Sequence, residues 1–334
     1  MFGGGPVRIV SMSGDWSEIA CRELAGLAGP DGAWGYRRGA SACVEPTAMA
    51  TLALLARGSG GMESTPAPVR RVAAWLASVQ QANGSLGLSS TQPTPGWTTP
   101  YAVLVWRALG VNDDRAHRAA EWLLAQKGRT LSPGDDPDGV AGHDTTLVGW
   151  PWVADTHSWL EPTALAVLAL GVVGWGAHPR VVEGLELIRN RAVVSGGWNY
   201  GNRAVFGRPL RAQPAPTGLA LLALAGTGRR SWTIDHAITY LETTLPGVRA
   251  PVSLGWGLLG LRVWGVVPEG SRQWLGEAYA AVSGRPDVAP RIAPLILADT
   301  AGSERLFGRT ACVRPAAPAR AGVSSRNEAG DVER

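Results

Sequence analysis

The 334-residue sequence is short of charge, of cysteine and above all of lysine, and each shortage excludes something. Three cysteines, Cys21, Cys43 and Cys312, are too few and too scattered for a disulfide framework or a CxxC metal site, so a reducing cytoplasm is the expected compartment. Lys127 is the single lysine. The other basic side chains are Arg, spread along the chain under a formal net charge of +4, and no basic block with interleaved aromatics marks a nucleic-acid site. No apolar run approaches the roughly eighteen residues of a membrane span, and the N-terminal MFGGGPVRIVSMSGDW holds no hydrophobic signal segment. The expectation is a soluble, unexported protein whose contact with a membrane is at most peripheral. A charged fraction of 17% beside a hydrophobic fraction of 45% fits a large buried core and excludes global disorder.

What is present is tryptophan, 15 residues against 3 phenylalanines, and Trp offers the strongest aromatic face for a cation. A repeat is present as well. The stretch Gly149 to Leu170, GWPWVADTHSWLEPTALAVLAL, holds an aromatic loop, two carboxylates and a histidine, then a proline-started run that is apolar nearly all round, as in a helix enclosed by protein. Pro162 suits the first turn, which puts Glu161 at the cap. Glu45 to Leu54 matches Glu161 to Leu170 almost position for position, and Ala215 to Leu224 is a third copy; Tyr101–Leu109, Ser253–Leu261 and Arg291–Ala298 are weaker ones. Self-similarity at this period marks a repeat architecture.

Before each buried run lies a one-sided helix. Val69, Val72, Ala73, Leu76 and Val79 keep the spacing of an amphipathic helix with Arg70 and Arg71 opposite. Asn112 stands ready to cap a helix from Asp113 to about Gln126, and comparable outer helices are expected near Ser17–Leu27, Val181–Arg191, Thr233–Thr243 and Ser271–Val282. Gly- and aromatic-rich loops run from each outer helix to the next inner one, while the return connections are short, so neighbouring helices are antiparallel and the long loops gather at one end. The expected fold is all-α: six outer and six inner helices closed into an α/α toroid. It spans residues 15–302, between a flexible N-terminus (1–14) and a disordered tail (303–334).

Trp75-Leu76 with Gln80, Gly84 and Leu86 resembles the QW repeat, and DGAWGY at Asp31–Tyr36 and GGWNYG at Gly196–Gly201 resemble its Gly-x-Trp ends. The chain thereby resembles the squalene-hopene and oxidosqualene cyclases and, more distantly, protein prenyltransferase β subunits, which share the toroid. Those cyclases start their reaction with an acidic side chain in Asp-x-Asp-Asp-Thr-Ala or Asp-Cys-Thr-Ala at the start of an inner helix. Here the matching tetrads are Glu45-Pro46-Thr47-Ala48 and Glu161-Pro162-Thr163-Ala164. The resemblance implies that Glu161 and Glu45 are candidate acids. Cys43 or Trp159 stands where the first Asp of the longer motif would be, and Pro46 or Pro162 where the last would be. Full-length cyclases also have two barrels and this chain has residues for one, which leaves room for a second toroid or helical subunit as partner.

Asp155 and His157, upstream on the same rim, are candidates to orient Glu161. Trp97, Trp150, Trp152, Trp159, Tyr200 and Trp256 are candidate substrate-binding aromatics, whereas Trp34 and Trp198 read as packing residues. A helix N-terminus favours an ionised carboxylate, so Glu161 keeps a proton only if burial outweighs the dipole. No metal or cofactor is expected. The minority alternative is zinc on Asp155, His157 and Cys43, as in a prenyltransferase. The cluster Asp135, Asp136 and Asp138, broken by Pro137, reads as a solvated turn. The function implied is proton-initiated cyclisation or isomerisation of an isoprenoid; the alternatives are a non-catalytic toroid binding a lipid or protein, and a zinc-dependent prenyltransferase.

Overall fold

The computed structural model describes residues 15–58, 67–132 and 142–309, so the N-terminal segment 1–14 and the cluster Asp135, Asp136 and Asp138 lie outside the described residues. In chain order the α-helices are α1 (Trp16–Gly26), α2 (Val44–Arg57), α3 (Ala67–Val79), α4 (Thr99–Leu109), α5 (Asp113–Ala125), α6 (Leu160–Val172), α7 (Pro179–Asn190), α8 (Pro214–Ala225), α9 (Trp232–Thr244), α10 (Pro251–Val263), α11 (Ser271–Ala280) and α12 (Ala289–Asp299). Odd-numbered helices form the outer layer and even-numbered ones the inner. The inner ring closes: α2 packs on α4, α4 on α6, and so on to α12, which returns to α2. The only sheet among the described residues is a two-residue hairpin, β1 (Ala204–Val205) against β2 (Arg208–Pro209), in the loop before α8.

Composition explains the two layers. In α6 every residue from Pro162 to Leu170 is buried, whereas α3 buries Val69, Val72 and Leu76 and leaves Arg70 and Arg71 exposed. An inner helix touches protein on all sides and can use only apolar or small residues.

One hydrogen-bond unit recurs where an outer helix hands over to an inner one. The Thr47 hydroxyl accepts from the Trp34 backbone N–H (2.9 Å) and donates to the Trp34 carbonyl (3.0 Å), and the Trp34 indole donates to Leu24 O at the end of α1. Thr163 binds Trp150 in the same way, with the indole on Leu123 O of α5, and Thr217 binds Trp198, with the indole on Ile188 O of α7. In the second unit Thr99 does the same for Leu86. In the three tryptophan units the indole satisfies a carbonyl that a helix end leaves without a partner and sews outer helix, loop and inner helix into one joint. The threonine of the Glu-Pro-Thr-Ala tetrad is therefore a fastener, and every inner helix that carries one starts at the same height.

Three expectations need correction. Glu161 does not cap α6: Trp159 holds the cap position and Glu161 lies in the first turn. Asn112 adopts a left-handed φ of 56° and makes no cap bond; its amide donates to Ala73 O of α3 instead. The boundary at residue 302 also falls too early. Ser303–Phe307 form a 3-10 turn that lies against α2, α4, α6 and α10, with Phe307 wholly buried beside Trp256 at 5.9 Å. Arg309 follows, donating to Leu222 O and Ala223 O of α8. The segment fills the bore from the end away from the long loops, so the toroid extends at least to Arg309.

A candidate site at the loop end of the ring

Glu45 in the first turn of α2 and Glu161 in the first turn of α6 face the axis from two sides of the start of α4. The burial of the inner ring takes both carboxyls largely out of water, and Glu161 feels the field of Glu45. Glu161 is pushed up to about 7, by burial first and by the charge of Glu45 second. Glu45 is raised by burial and drawn back down by a hydrogen bond from the Tyr36 hydroxyl to its Oε2. Between the two lies Tyr101 of α4, only 1% exposed, whose phenol is held far above its ordinary range by burial and by both carboxylates. Burial thus outweighs the helix dipole at Glu161. A carboxyl group that is half protonated near neutral pH beside a second carboxyl group can deliver a proton and take it back.

Counting back from the fastener threonine, the position of Glu45 and Glu161 is taken by Trp97 in the second unit and by Ala215 in the fourth. Trp97 lies edge-on to Trp152 (5.1 Å) and to Tyr101 (6.2 Å). Trp97, Trp122, Trp150 and Trp152, with Pro100 and Pro162, line an aromatic cleft beside the first turns of α4 and α6. Gln126 is the one polar side chain in its wall.

The other sequence candidates divide. Asp155 and His157 are exposed on the loop before α6; His157 Nδ1 donates to the Arg129 carbonyl (3.2 Å), and the group that acts on Glu161 is Glu45 instead. Trp150 lines the cleft, yet its indole N–H is committed to Leu123 O and Arg180 covers its face at 4.5 Å, so it repeats the packing role of Trp34 and Trp198. Trp159 caps α6 and lies against Gly201. Tyr200 is 52% exposed and lines none of these walls, and Trp256 lies down the bore against Phe307. Cys43 is near Glu45, which with burial raises its thiol, but no group of three or more His, Cys, Asp or Glu that could hold a metal occurs among the described residues. Asp155, His157 and Cys43 thus do not come together as one ligand group. Tyr36 and Tyr101 are the site residues that the sequence did not reveal; Tyr36 sits in the DGAWGY string, where the tryptophan is the conspicuous feature, and Tyr101 in a copy that has lost its Glu.

No protein-family model matches the chain, and no curated protein matches it. Solved structures do. The type II terpene cyclase MstE from Scytonema superposes with a TM-score of 0.54 at 16% identity, covering 81% of this chain and 78% of that one. MstE has also been solved with geranylgeranyl dihydroxybenzoate as substrate and with merosterolic acid A as product. An inactive variant of an alpha-1,6-mannanase from Salegentibacter sp., in complex with alpha-1,6-mannotriose, matches with a TM-score of 0.54 at 13% identity, over 87% of this chain and 100% of that one. Two closed rings of helices, fastened at the loop end and matched to these structures, make the fold a terpenoid cyclase-like α/α toroid.

Proposed function

We propose that the protein is an isoprenoid cyclase or isomerase in which Glu161 is the proton donor and Glu45 its charged partner. The observation that carries this reading is the placement of two partly buried carboxyls on the first turns of α2 and α6, with Glu161 raised to about 7. The protonated Glu161 gives its proton to a carbon–carbon double bond, the cation is attacked by a second double bond or shifts along the chain, and loss of a proton to the carboxylate ends the reaction. No oxidant or reductant is required. Trp97 and Trp152, which line the cleft, stabilise positive charge that forms there. MstE, whose solved complexes hold an isoprenoid substrate and product, supports the same substrate class for this fold.

The same carboxyl pair would also suit glycoside hydrolysis, and the second toroid neighbour is a mannanase. The cleft argues against a sugar: hydroxyl-rich ligands need convergent hydrogen-bond partners, and Gln126 is the one polar side chain among the twelve residues of this wall, eight of which are proline or tryptophan. No helix among the described residues is long and apolar enough to cross a membrane, so an isoprenoid would reach the mouth from a membrane surface or a partner.

The test is turnover of polyprenyl substrates of several chain lengths, with products read by mass spectrometry, for the wild type, Glu161→Gln and Glu45→Gln. Glu161→Gln should reduce product formation by about 10²–10⁴-fold, as expected for loss of a general acid, and Glu45→Gln less. Full activity in both variants would remove Glu161 from the mechanism; ligand binding without product in the wild type would leave a non-catalytic toroid.

A further inference from the structure

Beside Trp159 lies a second cavity of about 190 Å³ whose walls, among the described residues, carry arginine and histidine and no carboxylate. Its floor is Arg191, which ends α7 and is only 6% exposed. One guanidinium nitrogen of Arg191 donates to Gly201 O (3.2 Å); its Nε has no partner. Arg129 and His157 stand at the open rim with His143, and Asn202 closes one side. No carboxylate pairs with Arg191 or Arg129 among the described residues. Asp144, the nearest acidic influence on Arg191, spends its Oδ1 on the backbone N–H and hydroxyl of Thr146 at 2.9 and 2.6 Å.

Arg180, on the other end of α7, also leaves its Nε without a partner, but its terminal guanidinium nitrogens are fully engaged. It is bonded to Glu183 (2.7 Å) and to the carbonyls of Val148, Gln126 and Gly149. Arg191 has one carbonyl and a cavity. Burying a cation is costly, and burial draws Arg191 down to about 10 although the charge of Asp144 acts the other way. An anion in the cavity would lower that cost, and planar guanidinium forks suit phosphate oxygens.

We propose that this cavity is an oxyanion site for a phosphate or diphosphate group, with Arg191 at its floor and Arg129 at its rim. Trp159 forms one wall of the cavity and caps the helix that carries Glu161. Gly201 is what lets that ring lie close, because a Cβ there would come within 2.8 Å of it. A phosphorylated isoprenoid could thus place its headgroup on Arg191 and its chain past Trp159 towards the aromatic cleft. That last placement rests on the cyclase reading; the oxyanion site does not.

The experiment is calorimetric titration of the full chain with pyrophosphate and with inorganic phosphate, in chelator-containing buffer at constant ionic strength. Saturable one-to-one binding of either anion is expected, weakened at least tenfold by Arg191→Gln and by Arg129→Gln and partly restored by Arg191→Lys. Arg129 is exposed, so Arg129→Gln decides the matter if Arg191→Gln does not fold. A prenyl diphosphate that binds tighter than pyrophosphate, with the gain lost in Trp159→Ala, identifies a lipid headgroup as the source; equal binding identifies free phosphate or diphosphate. Absence of saturable binding of either anion, or wild-type affinity in both arginine-to-glutamine variants, overturns the site. Pyrophosphate binding needs no proton donor, so a wild type that binds pyrophosphate but turns over no isoprenoid would fail the cyclase reading and leave the oxyanion site standing.

Discussion

At the scale of single residues the carboxyl pair makes a prediction about stability as well as about chemistry. The folded chain holds Glu161 at about 7, whereas the ordinary value is 4.5. Between those limits the native state keeps a proton that the unfolded chain has released. The stabilisation is therefore complete below about pH 4.5 and is lost as pH rises through about 7, for a total of up to about 3 kcal/mol. Glu45 is raised as well and acts in the same direction. Glu161→Gln cannot ionise, so by thermal melting it should exceed the wild type at about pH 8, and the gap should close by about pH 5. Parallel melting curves across that range would mean that Glu161 is not buried as described. The two glutamates were legible in the sequence because Glu-Pro-Thr-Ala occurs twice. Their approach to one another was not, since it depends on how α2, α4 and α6 are set around the ring. The same holds for Tyr36, whose phenol reaches Glu45 only once the joint between Trp34 and Thr47 has been tied.

At the scale of elements, departures from the repeat carry the information. The third copy reads Ala215-Pro216-Thr217-Gly218 where the others have Glu-Pro-Thr-Ala, and the structure explains the glycine: a Cβ on Gly218 would lie 2.0 Å from the carbonyl oxygen of Trp256 on α10. Gly260 of α10 faces Gly218 in return, where an added Cβ would come within 2.4 Å of the Gly218 Cα, and a Cβ on Gly255 would meet Pro294 of α12. Helices α8, α10 and α12 thus meet backbone to backbone, which closes the ring tightly on the side opposite the carboxyl pair. A mid-helix glycine costs about 1 kcal/mol against alanine, so several of them in one buried layer make sense only where close approach is gained. Gly218→Ala should destabilise the protein by about 3 kcal/mol or more, because backbone on both sides prevents relief by a side-chain rotation. Gly26→Ala, at the end of α1 with nothing within 4 Å, should stay within about 0.5 kcal/mol of the wild type. Urea unfolding of the two variants tests the contrast; equal midpoints would show that α8 and α10 are not so close. Helix number and layering were readable from apolar patterning because an enclosed helix and a one-sided helix differ along their whole length. The left-handed Asn112 was not, since its cap-like sequence is outweighed by a bond to Ala73 on a neighbouring helix.

At the scale of the whole molecule a ring must be sealed twice, where its last unit meets its first and along its axis. The first seal is polar. Glu23 of α1 accepts from the Tyr279 and Ser283 hydroxyls and from the Gly284 backbone N–H, while Arg57 pairs with Asp299. The second is apolar and comes from Ser303–Arg309, which sequence periodicity assigned to a disordered tail. That reading failed for a physical reason: a single turn has no period, and the burial of Phe307 exists only because a bore exists to receive it. Gly308, at a positive φ of 67°, turns the chain there so that Arg309 reaches the α8 carbonyls. Because Ser303–Arg309 occupy this end among the described residues, the loop end, where the aromatic cleft and the arginine-lined cavity both lie, is the side from which a ligand approaches the carboxyl pair. Phe307→Ala should therefore cost about 3–5 kcal/mol, the range for emptying a buried aromatic site, and should lower the melting temperature by several degrees. It should do so without altering the pH dependence that Glu161 confers, since Phe307 touches Trp256 down the bore rather than the first turns of α2 and α6. A variant that melts with the wild type would restore the boundary at residue 302 and open the bore from both ends; one that loses both stability and the pH dependence would mean that the seal and the carboxyl pair form a single cooperative unit.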